Sequence, residues 1–486
     1  MEFVPTCNFE TLNVFVPTAD KPWDERRAKH AFKRIGFGAS DAQIADALAQ
    51  SPENFIDSLI DEAIAMPPMT APEWGYWSAQ DYIDNEIVLT EDLQNSQRGE
   101  LKFQFVQDIV NEGLRARLVK FWSNHFVTER AGNGCSSYQF QYYNMLQRNA
   151  LSNFKEFTRE VGLNNAMLIY LNGFDSTVND PNENYARELY ELFTLGEDNG
   201  YTQEDIVETS RALTGYNLLA AECGEITFNE LTFDAGSKTI FGQTGNWGYD
   251  DVIEILFNER SQLIARFICE KLYKYFVSPN VNEDIVNQLA ADFEVDFEIA
   301  PMLRRLLKSE HFFADTAIGV LIKSPYDFTI GFMQDLGFPY GDDQLRGFMN
   351  INDGLGQNLF NPIDVAGWQG NHDWVKTDTM VGRWRAFGPY FNFIWEFHRE
   401  ELRNLAINIS GGSNDADYIA RVIVDRFIPD GLQTEDDYQV AIDTFKLEIP
   451  LVYFEDGSWN LNDEEAPRQV LTLLNHIIEL PEFQLK

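Results

Sequence analysis

Apolar residues recur at three- and four-residue steps through most of the chain, the spacing of helices that bury one face. Leu101, Phe105, Ile109 and Leu114 carry this spacing along a helix starting near Asn95, and Leu118, Phe121, Trp122 and Phe126 continue it through EGLRARLVKFWSNHFVTER. That stripe leaves Arg115, Arg117, Lys120, His125 and Glu129 on other faces or their edges. Upstream, the pattern is helical from Asp24, is divided by Gly36 and Gly38, and resumes after a cap at Ser40 or Asp41 with Ala42, Ile44, Ala45 and Leu48 as its inner face. Downstream, DDVIEILFNERSQLIARFICEKLYKYFV, VNEDIVNQLAADFE and FEIAPMLRRLLKSEHFF are each amphipathic, and Ser324 with Pro325 opens a further helix as cap and first residue.

The interruptions set the organisation. Residues 1–23 form an arm in which Pro5 and Pro17 push Val4 and Val16 out of helical geometry. Pro67 to Trp77 is a linker rich in Pro, Met and Trp. Short alternating runs of Thr, Phe, Ile and Gly between Cys223 and Tyr249 predict a small β-hairpin or lid near residues 225–245. Glycines punctuate a loop from Asn350 to Trp374, and looser acidic stretches fall at Gly411 to Asp417 and Glu455 to Glu465. The predicted fold is therefore mainly α: one large multi-helix domain over 24–486 with a hairpin insertion at 223–249.

The most distinctive stretch is Asn179 to Tyr216. Pro181 follows Asn179 and Asp180 as a helix start, and the helix stacks Glu183, Arg187 and Glu191 on one face with Asn184 and Glu188 beside them. Leu189, Leu192, Phe193 and Leu195 supply its apolar side, and Gly196 ends it. Thr202 and Asp205 then make the signature of a capping box for a second helix, with Ile206, Val207, Ala212 and Leu213 inward.

Composition narrows the partners. Asp and Glu number 77 against 37 Lys and Arg, a net charge of −40, and such a field disfavours nucleic acid and anionic membranes. No apolar run reaches the roughly 18 residues of a membrane span, and no signal peptide is visible at the start. The four cysteines, Cys7, Cys135, Cys223 and Cys269, are too scattered for a zinc or thioredoxin motif, and buried thiols are expected of them, with one or two disulfides as the alternative.

Candidate chemistry follows from these placements. His125 and Glu129, four apart on one helical side, can share a metal or a proton. Carboxylates edging two antiparallel helices, Glu183 and Glu188 foremost, with Arg187 between them and His125 recruited, can hold a divalent cation or position water. Asn182 and Asn184 would then contact substrate. In the glycine-rich loop Trp368 and Trp374 can stack on a sugar ring, and His372 can act as a base. Structural alternatives stand beside each: an intrahelical ion-pair ladder for Glu183, Arg187 and Glu191, a loop plugged into the core by its tryptophans, and packing roles for His30, His398 and His476. There is no internal repeat, P-loop, nucleophile elbow or dinucleotide fingerprint.

A series of blocks resembles the bacterial domain of unknown function 1800 family: HAFKRIGFGAS, FWSNHFVTE at Phe121 to Glu129, YLNG at Tyr170, NENYARELYELFTLG, YTQEDIVETSRALTGY, FICEKLYKYFV at Phe267, KSPYDF at Lys323, GQNLFNPIDVAGWQG at Gly356 and LPEFQ at Leu480. The resemblance implies a largely helical, usually exported protein whose gene often neighbours one for a sulfatase-like protein. It also implies a His-Asp pair where this chain has Phe233-Asp234. Two functional expectations result. One is a hydrolase-type, divalent-cation-dependent enzyme using His125, Glu183, Arg187 and Glu188. The other is a non-enzymatic cell-surface or secretion-associated binding protein whose partner is a carbohydrate or the sulfatase-like neighbour.

Overall fold

The computed structural model describes residues 11–129, 134–447 and 449–486. Helices from Glu25–Ile35 to Ala466–Glu479 surround one continuous apolar core, so the mainly α expectation holds. Its centre is aromatic: Trp122 is fully buried, stacks near Phe126 and Phe154, and donates from Nε1 to the Ala150 carbonyl at 3.0 Å. At the C-terminal end the Arg399–Ser410, Ala416–Phe427, Glu435–Lys446 and Ala466–Glu479 helices pack on one another. No described helix is long and apolar enough to cross a membrane.

The described part of the arm is tied down. Phe15 N–H donates to the Lys308 carbonyl at 2.8 Å and Glu310 N–H to the Asn13 carbonyl at 2.8 Å, as a strand pair would. Val4-Pro5 lies outside the described residues. The helix predicted to run from Asn95 through Glu129 is two helices, Glu91–Asn111 and Leu114–His125, because Gly113 takes a φ of +51° between them. In the Asp41–Leu48 helix the buried residues are Ile44 and Ala47, so the predicted inner face is corrected: Ala42, Ala45 and Leu48 are exposed.

Two small antiparallel hairpins form rather than one: Tyr216–Leu219, which precedes the insertion, pairs with Ile226–Phe228, and Lys238–Ile240 pairs with Gln243–Gly245 inside it. A disulfide joins Cys223, in the connection of the first hairpin, to Cys135 at the cap of the Ser136–Asn149 helix. The expectation of a buried thiol holds for Cys269 and fails for Cys135 and Cys223, whose Cα atoms folding brings to 5.6 Å. Cys7 lies outside the described residues.

Within Asn179 to Tyr216 the second helix begins as expected: Thr202 and Asp205 make both bonds of a capping box over Gln203–Ala212. The first helix starts later than Pro181, at Asn184, with the Asn182 side chain accepting from Asn184 N–H at 2.8 Å. It then widens into a π-helical segment, Leu189–Thr194, which periodicity does not foretell, before Gly196 ends it at φ +95°.

Candidate functional site

The apolar stripe of the Leu114–His125 helix is buried, and so are its other faces. Arg115, Arg117, Lys120 and His125 are each 5% exposed or less, so the helix is enclosed on all sides and its cations need internal partners. Arg117 pairs with Asp327 Oδ1 at 2.6 Å, donates from Nε to the Gly36 carbonyl at 2.8 Å, and lays its guanidinium over Phe37, 4.0 Å from the ring centre. Asp327 sits at the N-terminus of the Pro325–Leu336 helix, where Ser324 caps and Asp327 closes a capping box. Lys486 Nζ reaches Asp327 Oδ2 at 2.7 Å, and Lys120 Nζ donates to Ser324 Oγ at 3.0 Å.

This centre is cationic inside an acidic protein. Lys33, Arg34, Arg117, Lys120, Lys323, Arg383 and Lys486 are all buried, and the carboxylates set among them are Asp327 and Asp335. Backbone carbonyls take up part of the excess: Arg34 donates to Ala317 O at 2.7 Å, Arg383 to Lys323 O at 2.7 Å and Lys323 to Phe483 O at 2.6 Å. Burial by itself would raise the Asp327 carboxyl, but Arg117, then Lys486 and Lys120, hold it well below the usual carboxylate range. Burial pushes the Lys120 ammonium down to about 8, and Asp327 offsets part of that effect.

One side of the centre opens into a cavity of about 500 Å³. Lys120, Ser324, Asp327 and Lys486 line it, as do Phe121, Tyr275, Trp368 and Trp374 together with Lys271 and Lys274. Lys271, on the Ser261–Phe276 helix, lies over the Phe267 ring at 5.0 Å, and burial pushes it down to about 8. Neither Lys120 nor Lys271 forms an ion pair among the described residues, whereas Lys274 pairs with Glu270 at 2.6 Å. Trp368 and Trp374 are nearly buried with ring centres 6.5 Å apart, and Trp368 Nε1–H has no hydrogen-bond partner among the described residues.

The loop carrying Trp368 is held by an amide clamp. Asn124 Oδ1 accepts from Trp368 N–H at 2.6 Å and Asn124 Nδ2 donates to Trp368 O at 2.9 Å. Gly367 makes the clamp reachable: its φ is +73°, and a Cβ there would stand 2.4 Å from Asn124 Oδ1. Gly367→Ala should therefore cost about 2 kcal/mol or more in urea titrations, with Trp368 fluorescence reporting a more solvated ring.

The residues anticipated from sequence are distributed over three places. Trp368 lines the cavity. His125 lies one layer behind the wall: its ring is parallel to that of Phe121 at 6.1 Å, and its Nε2–H donates to the Phe193 carbonyl at 3.0 Å. Burial first, and then nearby Lys271, lower its pKa well below the usual imidazole value, so it is neutral. Glu129 does not share its face, because the helix ends at His125 with Phe126 turned out of helical geometry. Burial, then the charges of Glu129, Asp364 and Glu188, push the Tyr170 hydroxyl up to about 12, which places those carboxylates around Tyr170 instead.

Glu183, Arg187 and Glu188 stand apart from the cavity lining. Arg187 spans Glu183 at 3.0 Å and Glu191 at 3.3 Å, with Gln203 Nε2 donating to Glu183 Oε2 at 2.9 Å, and this half-exposed ladder has the form of an ordinary helix ion-pair row. Burial, then Glu191, raise the Glu188 carboxyl above its ordinary value. Asn182 caps locally, Asn184 is exposed, and His372 is exposed while its neighbour Trp374 is buried. Among the described residues no three His, Cys, Asp or Glu side chains gather as a metal-holding group. At the position where a His-Asp pair is implied, the Phe233 ring lies 5.0 Å from Lys238 Nζ and Asp234 pairs with Arg211 at 2.8 Å.

Sequence periodicity missed Lys120, Lys271, Ser324 and Asp327. The available signal was the run of cations on a helix whose apolar stripe already demanded burial. The blocks that hold Lys33 and Arg34, Phe121, Lys271, Ser324, Trp368 and Gln484 converge here, although no single block contains the site. The chain matches the family described as protein of unknown function (DUF1800) over residues 30–485, and it belongs to that family. No curated protein and no solved structure matches it.

Proposed function

We propose that this member of the DUF1800 family recognises a small organic anion with a flat or ring-shaped apolar face, an acidic sugar being one such class. The observation that carries the reading is the pair of lysines without ion-pair partners among the described residues, Lys120 and Lys271, facing one aromatic-walled cavity in a chain of net charge −40. A cation removed from water without a counter-charge costs stability, and an anion entering the cavity relieves that cost. The acidic exterior repels anions at long range, so affinity arises at short range from the lysines and from stacking against Trp368 and Phe121. The cation-dependent hydrolytic reading of His125, Glu183 and Glu188 has less geometry behind it, since His125 is packed behind Phe121, Glu183 is engaged by Arg187 in a half-exposed ladder, and Glu188 stands outside the cavity lining.

The test is thermal stability with inorganic phosphate, sulfate, glucuronate and 4-hydroxybenzoate, followed by calorimetry on any anion that raises the melting temperature. Lys271→Met should stabilise the unliganded protein by about 1 kcal/mol, because it removes a partly buried cation with no anionic partner among the described residues, and should abolish the ligand-induced shift. The sign fixes a pH dependence as well. The folded-state value of Lys271 is below the unfolded one, so its penalty is fully present below about pH 8 and is relieved as pH rises toward 10.5. The advantage of Lys271→Met should shrink over that window. Equal anion-induced shifts in wild type and Lys271→Met would overturn the reading.

A further inference from the structure

We propose that Ser324 is a nucleophile and Lys120 its general base, so that the cavity hydrolyses a carboxylic ester whose acyl or alcohol portion bears an anionic group. The inference rests on the anion-binding reading, since the anion is what seats the ester against Ser324. Four observations support it. Ser324 lines the cavity, and its Oγ lies 3.0 Å from Lys120 Nζ, within the reach a base requires. Lys120 forms no ion pair among the described residues, and burial has pushed it down to about 8, so an appreciable fraction is neutral near neutral pH. Asp327 accepts from Ser324 Oγ at 2.8 Å, yet Arg117 at 2.6 Å and Lys486 at 2.7 Å keep it ionised and a poor proton acceptor. In the resting arrangement the hydroxyl proton therefore points to Asp327, and reaction requires the O–H to rotate toward the unprotonated Lys120 amine 3.0 Å away. Finally, Ser324 is fixed by its own helix cap, and Lys120 by a helix enclosed on every side, so neither group must be ordered before reaction.

The step balances without a metal or a redox partner. Ser324 Oγ bonds to the ester carbonyl carbon while its proton passes to the neutral Lys120 amine, leaving a tetrahedral oxyanion and an ammonium. Collapse breaks the carbon to alkoxide bond, and Lys120 returns the proton to the departing alcohol. Water then attacks the acyl carbon, Lys120 takes its proton, and the acid leaves as Ser324 Oγ recovers the proton. The net reaction is ester plus water to acid plus alcohol.

The experiment pairs 4-acetoxybenzoate hydrolysis with intact-mass analysis after exposure to an alkyl fluorophosphonate, and with calorimetric binding of the product, 4-hydroxybenzoate. Wild type is expected to take one phosphonyl adduct, mapped to Ser324, and to hydrolyse the ester with a rate that rises through an apparent pKa near 8. Ser324→Gly, which leaves an acceptable helix cap, should lose adduct and hydrolysis while still binding 4-hydroxybenzoate. Lys120→Arg keeps the charge but not the base, so it should bind the product and hydrolyse at least ~100-fold more slowly. Product binding without adduct or hydrolysis in wild type overturns this inference and leaves anion recognition standing. Adduct and hydrolysis dependent on Ser324 without measurable product binding support the inference while removing the anion reading. Hydrolysis unchanged in Ser324→Gly, or an adduct on another residue, refutes the nucleophile assignment.

Discussion

Asp327→Ala is expected to destabilise the protein by about 3 to 5 kcal/mol, the cost of leaving a buried cation without its counter-charge. Arg117, fully buried, loses its ion-pair partner at 2.6 Å, Lys486 loses its own at 2.7 Å, and Lys120 and Arg34 lose a nearby negative charge that partly offsets their burial. Asp327→Asn should cost less, since an amide oxygen still accepts from Lys486 or Arg117 but carries no charge. Urea titration of both variants checks the ordering, and a loss below about 1 kcal/mol in Asp327→Ala would mean that the cations are paired elsewhere.

The same residue sets an acid limit. In the folded chain the Asp327 carboxyl sits well below 3.8, its value when unfolded, so on acidification the unfolded chain binds the proton first. The stabilisation is complete above about pH 4 and is lost as pH falls toward the folded-state value. Wild-type stability should fall steeply below pH 4, and the part of that fall due to Asp327 should be missing from the variants.

How far the sequence discloses such a centre depends on which residue is considered. Helix positions, the Gly196 stop, the Thr202 capping box and the Ser324 cap are local matters of period and cap chemistry, and they were legible. Arg117 and Lys120 were visible only as residues off the apolar stripe, and a stripe says nothing about what covers the opposite face. Their burial is decided by the Pro325–Leu336 helix and by residues near 484–486, more than 200 positions away. Trp368 is legible as a pocket residue from its glycine-rich surroundings, whereas the spacing that sets His125 off the apolar stripe beside Glu129 does not disclose the six aromatic neighbours that enclose it. Charge density misled in the Asn179 to Tyr216 stretch, where alternate Glu and Arg at steps of four already satisfy one another along the helix.

Loss of the Cys135–Cys223 disulfide should be the other large effect. The bond closes a loop of 88 residues, and the loss of chain entropy in the unfolded state corresponds to roughly 4 to 5 kcal/mol. Its effect should also be regional. The closed segment contains the Ser136–Asn149 helix, the Asn184–Glu188 helix with its π-helical extension, the Gln203–Ala212 helix and the first strand of the first hairpin. Asp327, Arg117, Lys120, Lys271 and Trp368 all lie outside it. In the reduced state the hairpin connection keeps three other ties: Ala79 N–H to Glu222 O at 2.7 Å, Tyr138 Oη–H to Gly224 O at 2.5 Å and Ile226 N–H to Asn165 Oδ1 at 3.1 Å. Cys135→Ala with Cys223→Ala is therefore expected to fold, to unfold at lower urea, and to show faster hydrogen exchange between residues 135 and 228 than elsewhere. Anion binding should survive, because no cavity residue belongs to the released loop. Exchange that accelerates equally around Asp327 would show that the two regions open as one cooperative unit and that the disulfide braces the cavity as well.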